Sequence, residues 1–465
     1  MLSLCDSRAR FGRREFLRVG GLALGGLSLP GLLEAKAAAA QAGRLVRDKS
    51  VIFLFLHGGP SQFETFDPKM SAPSDIHSAT GEVATRIPGV TFGGTFPKLA
   101  SLADKLSIVR SFTTGDANHD IKPVVCRDTL GANMGSIYSR IAGSNHPRTG
   151  MPTNAALYPQ AVDPDTKPPI KNFGDFEATG TLGKSTAPFV PGGKGEMQRA
   201  MRLELPLDRL GDRRALLGRF DQARWALDAA GALEGLDGMR EQAFRVILGG
   251  MADAFDLSKE DPNTVARYDT APLVRPQAIS TKWNNRPNYI DNAKSLGKLL
   301  LLARRLCEAG CGFVTVTTSF VWDMHSDVNN AGVDEGMGYM GLPLDYALSA
   351  FIDDLHARGL DKRILLVVCG EMGRTPRINA RGGRDHWGNL APLLLAGGGL
   401  PMGQVLGQST RDGGQPLSEP VTIKHLLGTV MHTLLDVNEV RIARGVPADV
   451  NQALTAAAPI LGLFS

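Results

Sequence analysis

Five short, nearly continuous apolar runs punctuate the chain: Val51–Leu56, Leu106–Phe112, Phe313–Thr318, Arg363–Cys369 and Pro392–Ala396. Runs of this length and β-branched content read as buried parallel strands. Two of them are fed by helices. The apolar positions of Tyr289–Ala309 recur at helical spacing and stop at Gly310; those of Leu344–Ala357 stop at Gly359. A glycine just past the last helical residue is the expected terminator, because it takes up the left-handed conformation that closes a helix. Thr422–Leu435 reads as a last helix. Alternation of helix and strand predicts an α/β fold: a doubly wound, mainly parallel sheet flanked by helices.

The middle of the chain breaks this rhythm. Residues from Gly150 to Arg199 are polar, rich in Pro and Gly and without period, and Asp208–Gly249 is charged and helical in pattern. The expectation is one α/β domain over 41–465, interrupted by a loop-rich and helical insertion at about 150–285. No internal repeat is visible.

The N-terminus changes the picture of charge and compartment. Arg13-Arg14-Glu15-Phe16-Leu17 precedes a glycine-rich apolar stretch, Val19–Leu33, and then Ala38-Ala39-Ala40. Paired arginines, a weakly apolar segment and a small-residue exit, in that order, predict a twin-arginine signal peptide over 1–40. The expected partner during export is the twin-arginine translocase, and the expected location is periplasmic or extracellular. No later segment is long and apolar enough for a permanent membrane span. The first forty residues hold six basic and three acidic side chains, so +3 of the whole-chain net charge of +4 belongs to them. The remaining +1 excludes the basic footprint of a nucleic-acid-binding protein. Cys126, Cys307, Cys311 and Cys369 read as small core residues without a disulfide framework, and Cys307 and Cys311 lack the second pair that a zinc site needs.

Ligands of open α/β sheets sit outside the carboxyl ends of the strands, which directs attention to what flanks each run. His57-Gly58-Gly59-Pro60 follows the first, Thr113 to Asp120 the second, Trp322-Asp323-Met324-His325 the third, and Gly370-Glu371-Met372-Gly373-Arg374 the fourth. Arg384-Asp385-His386-Trp387 precedes the fifth. Of nine histidines, four (His57, His119, His325, His386) stand next to predicted strands and close to Asp or Glu. Imidazoles with carboxylates suit a divalent metal, and a metal activates water or clamps an oxyanion. The expected ligands are His57, Asp323, His325, Glu371, Asp385 and His386, with zinc, manganese or calcium as the ion. Thr113 or His119 is expected nearest the reacting atom, and Arg374 is expected to fork onto phosphate or sulfate oxygens. Each residue alone has a structural alternative: a bonded histidine, a capping Glu371, an Arg374–Asp385 ion pair.

Three motifs imitate other sites. His57-Gly58-Gly59-Pro60 resembles an esterase oxyanion loop, but no G-x-S-x-G elbow exists. Gly336-x-Gly338-x-x-Gly341 matches a dinucleotide fingerprint but follows no strand. Gly192-Gly193-Lys194-Gly195 lacks the phosphate-loop spacing.

Leu56-His57-Gly58-Gly59-Pro60-Ser61-Gln62, Thr65-Phe66-Asp67-Pro68-Lys69, Asn118-His119-Asp120, Trp322-Asp323-x-His325, Gly370-Glu371-x-Gly373-Arg374-Thr375-Pro376 and Gly383-Arg384-Asp385-His386-Trp387-Gly388 together resemble the domain-of-unknown-function 1501 family. That family is grouped with the alkaline phosphatase and sulfatase superfamily. The resemblance implies an alkaline-phosphatase/sulfatase-like scaffold carrying one or two metals. It sets Asp323 and His325 at the middle-strand ligand positions, Glu371 where an Asp-His pair is usual, His386 at the last histidine, and His57 where the first aspartate is usual. The chain departs from the superfamily pattern in His57, in Met372 after Glu371, and in the absence of a Ser or Thr opening the helix expected near Asn118. Ser111, Thr113 and Thr114 lie upstream, and Cys126 lacks the sulfatase context.

Three functions follow: a metal-dependent hydrolase of sulfate or phosphate esters; a degenerate relative that binds a metal, an anionic ester or a glycan without turnover; or an exported assembly protein using the helical middle segment.

Overall fold

A computed structural model describes residues 45–192, 252–318 and 320–464. The expected signal peptide and the helical stretch Asp208–Gly249 lie outside the described residues.

Strand β1 (Ser50–Phe55) shows why the sheet is covered on both sides. Its residues alternate faces, as a pleated strand requires. Ile52 and Leu54 join one core and Val51, Phe53 and Phe55 the other, all of them buried. Beyond β1 come a small hairpin, β2 (Glu82–Ala84) and β3 (Thr91–Gly93), and then β4 (Leu106–Val109), β5 (Asn154–Leu157), β6 (Phe313–Thr317) and β7 (Ile364–Cys369). A two-residue pair, β8 (Gly373–Arg374) and β9 (His386–Trp387), is followed by β10 (Leu393–Gly397) and β11 (Gln404–Leu406). Seven strands form the main sheet in the order β11-β4-β10-β7-β1-β6-β5. Helices α2 (Arg286–Glu308) and α3 (Val333–Ala357) cover the Ile52 face; α1 (Met134–Ala142) and α4 (Ile423–Leu434) cover the Phe53 face. Each aliphatic or aromatic side chain so buried contributes roughly 1.5–3 kcal/mol.

Strand β1 lies next to the central strand β7, parallel to β6 and β7, with Phe53 opposite both Thr315 and Val367. The fold class is as the alternation predicts, but four particulars differ. Strand β10, expected to be parallel, runs antiparallel to both of its neighbours, β4 and β7. Strand β5, within the expected loop insertion, is the sheet edge beside β6. The expected helix near Asn118 is a succession of turns, and the helix proper starts at Met134, capped by Asn133 whose side chain accepts from Gly135 N. Helix α3 begins at Val333, well before Leu344, and continues through Pro343. The Gly336-x-Gly338-x-x-Gly341 pattern is therefore part of a helix and no strand–turn–helix loop. The part of the expected insertion that follows residue 252 is clamped to α2 and α3 by fully buried Arg304, which forms ion pairs with Glu260 at 2.5 Å and Asp354 at 2.9 Å.

Candidate metal centre

The reversed direction of β10 has a chemical consequence. In a parallel strand the edge that matters follows the strand; in an antiparallel one it precedes it. His57, His119, Asp323, His325, Glu371 and Arg374 follow β1, β4, β6 and β7, whereas His386 precedes β10, and so all come to one end of the sheet. Two glycines let the loops close on one another. Gly58 sits at φ +119°, and a Cβ there would meet Asp323 N at 2.7 Å and Trp322 N at 2.8 Å. A Cβ on Gly383 would meet the His325 carbonyl carbon and oxygen at 2.2 Å. Only bare backbone at these positions allows the loops holding Asp323, His325 and His386 to pack together.

Four residues converge. One ligand atom from each of His119, Asp323, His325 and His386 lies within 4.8 Å of every other. Asp323 Oδ1 is the focus: His325 Nε2 stands 2.8 Å from it, His386 Nε2 3.2 Å and His119 Nε2 3.5 Å. The Nε2 atoms of His325 and His386 are 2.8 Å apart. Behind the rings, carboxylates hold the other nitrogens. His119 Nδ1 is 3.1 Å from Glu371 Oε1, and His325 Nδ1 is 3.3 Å from Asp385 Oδ1.

These contacts fix where the protons belong. A carboxylate is an acceptor, and Glu371 already accepts the Gly58 N–H on both oxygens, at 2.9 and 3.2 Å. His119 Nδ1 therefore carries a proton toward Glu371, and His325 Nδ1 carries one toward Asp385. In the neutral rings both Nε2 atoms are then lone pairs aimed at Asp323 Oδ1, itself an acceptor. Lone pairs facing an acceptor at these distances make the cluster a candidate cation site. Protonating all three rings would crowd imidazolium charges together beside Arg374, so a single divalent ion satisfies the arrangement with less repulsion. The donor set, three imidazole nitrogens and one carboxylate oxygen, suits zinc or a similar transition metal, and a carboxylate behind a ligating imidazole is how proteins orient such ligands.

The electrostatics agree. Burial would raise the Asp323 pKa, but the Arg374 guanidinium and the three imidazoles outweigh it and hold the carboxyl well below the usual carboxylate range. Burial lowers His119, yet its bonds to Asp323 and Glu371 reverse that and leave it raised. His386 is lowered, by burial first and by Arg374 in addition. The cluster is reachable from solvent: the side chains of His119, His325 and His386 keep 15%, 17% and 27% exposure.

The structure distributes the expected site residues among different tasks. His119, Asp323, His325 and His386 form the cluster. Glu371 and Asp385, expected as ligands, stand one hydrogen bond behind it, because each faces a ring Nδ1. His57, also expected as a ligand, points instead into an aromatic wall of Phe55, Phe173, Phe176 and Phe320. Its buried Nε2 has no hydrogen-bond partner, and burial lowers its pKa. The anion fork expected of Arg374 is not free. The side chain is fully buried. Nε bonds Gly59 O at 2.7 Å, Nη1 bonds Arg384 O at 3.2 Å and lies 3.4 Å from His325 Nε2, and Nη2 bonds Gly58 O, Trp322 O and Asp323 Oδ1. Thr113 Oγ1 donates to Gly388 O at 3.0 Å, so it braces the loop after His386.

Sequence reasoning passed over three supporting residues. Fully buried Arg384 pairs with Glu64 and donates to the Ile76 and His77 carbonyls, which anchors the loop before His386; its place beside Asp385-His386 was the available signal. Asn330 Nδ2 reaches Asp323 Oδ2 at 3.4 Å. Gln62 exchanges two bonds with the Arg374 backbone, both 2.9 Å. Nothing in their spacing sets Asn330 or Gln62 apart.

The chain belongs to the family described as "Protein of unknown function (DUF1501)", whose model matches residues 48–448. No curated protein matches it. Among solved structures it is similar to the PsFucS1 sulfatase from Pseudoalteromonas sp., at 11% identity and a TM-score of 0.36, covering 93% of this chain and 74% of that one. It is also similar to the phosphonate monoester hydrolase SpPMH from Silicibacter pomeroyi, at 10% identity, TM-score 0.31, and coverage of 83% and 73%. The alkaline phosphatase from the Antarctic bacterium TAB5 matches at 10% identity, TM-score 0.27, and coverage of 83% and 98%. At these values no residue role passes from those proteins to this one.

Proposed function

We propose that this protein is an exported, metal-dependent hydrolase of sulfate or phosphate esters, with one divalent cation held by His119, Asp323, His325 and His386. The observation that supports the reading most is the convergence of imidazole Nε2 atoms on Asp323 Oδ1 while carboxylates hold Nδ1 of His119 and His325. When bound, the cation would supply Lewis acidity toward an ester oxyanion and lower the pKa of water. Glu371 and Asp385 keep the protons of His119 and His325 on the outer nitrogens. Arg374 fixes Asp323 and the His57–Gly59 turn. No side-chain hydroxyl among the described residues bonds the cluster, so the attacking group is water. Its oxygen bonds to phosphorus or sulfur as the bond to the ester oxygen breaks; one proton of the water ends on the departing oxygen, giving the free alcohol, and the other stays on the phosphate or, for sulfate, passes to solvent. Delivery would use the twin-arginine translocase, and the location would be periplasmic or extracellular. No helix among the described residues is long and apolar enough to cross a membrane.

A second reading, an anionic-ester or glycan binder without turnover, is supported by one observation: the guanidinium of Arg374, which would hold an anion, is spent on backbone carbonyls and Asp323. The test is elemental mass spectrometry of the purified mature protein and its His386→Ala variant, followed by a screen of aryl sulfates and phosphates. Near-stoichiometric metal lost in the variant, with turnover, supports the first reading. Metal without turnover of any ester supports the second. No metal after incubation with zinc, manganese or calcium overturns the first reading and leaves the second.

A further inference from the structure

Beside the histidine cluster stands a wall that the hydrolysis itself does not need. Phe173 and Phe320 are stacked, ring centroids 4.6 Å apart and planes 18° from parallel. Phe320 is buried, whereas Phe173, on the loop after β5, stays partly exposed. The wall touches the centre directly. The His119 ring, whose Nε2 faces Asp323, lies 4.6 Å from Phe320 and 5.3 Å from Phe173. Beneath it, His57 is edge-on to both phenyl rings, at 5.8 Å from Phe173 and 4.9 Å from Phe320, with its buried Nε2 unpartnered. Leaving such an atom unpaired is costly, and no described residue relieves it.

We propose that Phe173, backed by buried Phe320, forms a platform for the ring of the ester's alcohol portion, so that the substrates are esters of ring-bearing alcohols, with an aryl face or the apolar face of a pyranose. This rests on the hydrolase reading. A phosphoryl or sulfuryl group at the cluster would direct its ester oxygen's substituent within one ring width of Phe173, because His119 belongs to both. Flat apolar faces stack on aromatic rings with a preference for offset or edge-on contact, whereas a short alkyl alcohol would leave the wall wet. Arg374, consumed by backbone carbonyls, offers little grip on the anion, so discrimination falls to the alcohol side.

The test uses the metal-loaded mature protein and the variants Phe173→Ala, Phe173→Leu and Phe173→Tyr. Binding of inorganic phosphate, inorganic sulfate, methyl phosphate, phenyl phosphate and glucose 1-phosphate is measured by calorimetry, with saturation-transfer nuclear magnetic resonance on the ligand ring protons. The wild type should bind phenyl phosphate or glucose 1-phosphate about threefold to tenfold more tightly than methyl phosphate. The two ring ligands separate aryl from pyranose. Phe173→Ala should erase that preference while inorganic phosphate binds as before, Phe173→Tyr should keep it, and Phe173→Leu, which preserves apolar bulk, should lose most of it. A wild type without ring preference, or a preference that survives in Phe173→Ala, overturns the platform. Failure of every probe, inorganic phosphate included, to bind the wild type overturns the hydrolase reading itself.

Discussion

Replacing Glu371 by Gln separates holding a metal from holding the ligand that holds it. Glu371 is wholly buried, accepts Gly58 N on both oxygens and faces His119 Nδ1 at 3.1 Å. An amide of the same shape has one acceptor and one donor end. If its oxygen takes the Oε1 position it still faces both Gly58 N and His119 Nδ1, but as a weaker, uncharged acceptor, and its NH2 stands against Gly58 N, donor to donor. If the amide flips, its NH2 faces His119 Nδ1 and demands a lone pair there, and the ring proton moves to Nε2, the atom aimed at Asp323. Either way His119 is lost or weakened as a ligand, while His325, His386 and Asp323 remain. Loss of such an outer carboxylate lowers metal affinity about 10- to 100-fold. At a zinc concentration one hundred times the wild-type Kd, bound metal stabilises the wild type by about 2.7 kcal/mol, and the variant by only about 0.4–1.4 kcal/mol. Competition against a chromophoric chelator gives the affinity directly; urea unfolding with and without zinc gives the stabilisation. The companion Asp385→Asn should lose less, since Asp385 is 57% exposed and water can replace it. Equal zinc affinity in Glu371→Gln and wild type would refute the assignment of His119 Nε2 to the metal.

Arg374→Met should cost about 3–5 kcal/mol in chelator, because it leaves buried Asp323 and several carbonyls without their donor; urea unfolding should also show zinc restoring part of the loss, and a change below about 1 kcal/mol would contradict the role. Asp345 on α3, which accepts from Lys98 N and Leu99 N, is pushed by burial from an ordinary 3.8 to about 6. The folded state then binds its proton more tightly than the unfolded one, so stability is fully present below about pH 4 and falls by roughly 2–3 kcal/mol as pH rises through 6. Asp345→Asn should remove that slope, as denaturation midpoints at pH 4.5 and 7 would show. Replacing Arg13 and Arg14 together by Lys should leave precursor in the cytoplasm, read by fractionation and immunoblotting; normal export would contradict a twin-arginine route.

Burial explains which parts of the fold were legible in the sequence. Strands β1, β4, β6, β7 and β10 are aliphatic because helices cover both faces of the sheet, and such runs stand out. Strand β5 is Asn154-Ala155-Ala156-Leu157, and alanine has little strand preference of its own, so only its pairing with β6 makes it a strand. The direction of β10 is set by tertiary connection and leaves no mark on its residues. At the site, the histidines and carboxylates beside strand ends could be collected from spacing, but not sorted. His57 and His119 each follow a strand; one turns into phenylalanines and the other toward Asp323. That choice is made by the turns over 114–133 and by the Gly58 conformation, neither of which has a periodic signature. The exhaustion of Arg374 was equally hidden, because its carbonyl partners carry no side-chain code.

The contacts of Arg374 also set an order of events during synthesis. Its bonds to Gly58 and Gly59 span 316 and 315 residues of chain, and the Gly58–Glu371 bond spans 313. Closure over such distances is entropically slow. The turn at Gly58 must wait until almost the whole polypeptide has left the ribosome before its partners exist, and His386 emerges later still. A nascent chain halted before residue 386 would have its central strands but no centre. A cation held as proposed by His119, Asp323, His325 and His386 would therefore load only after residue 386 has emerged and its loop has closed.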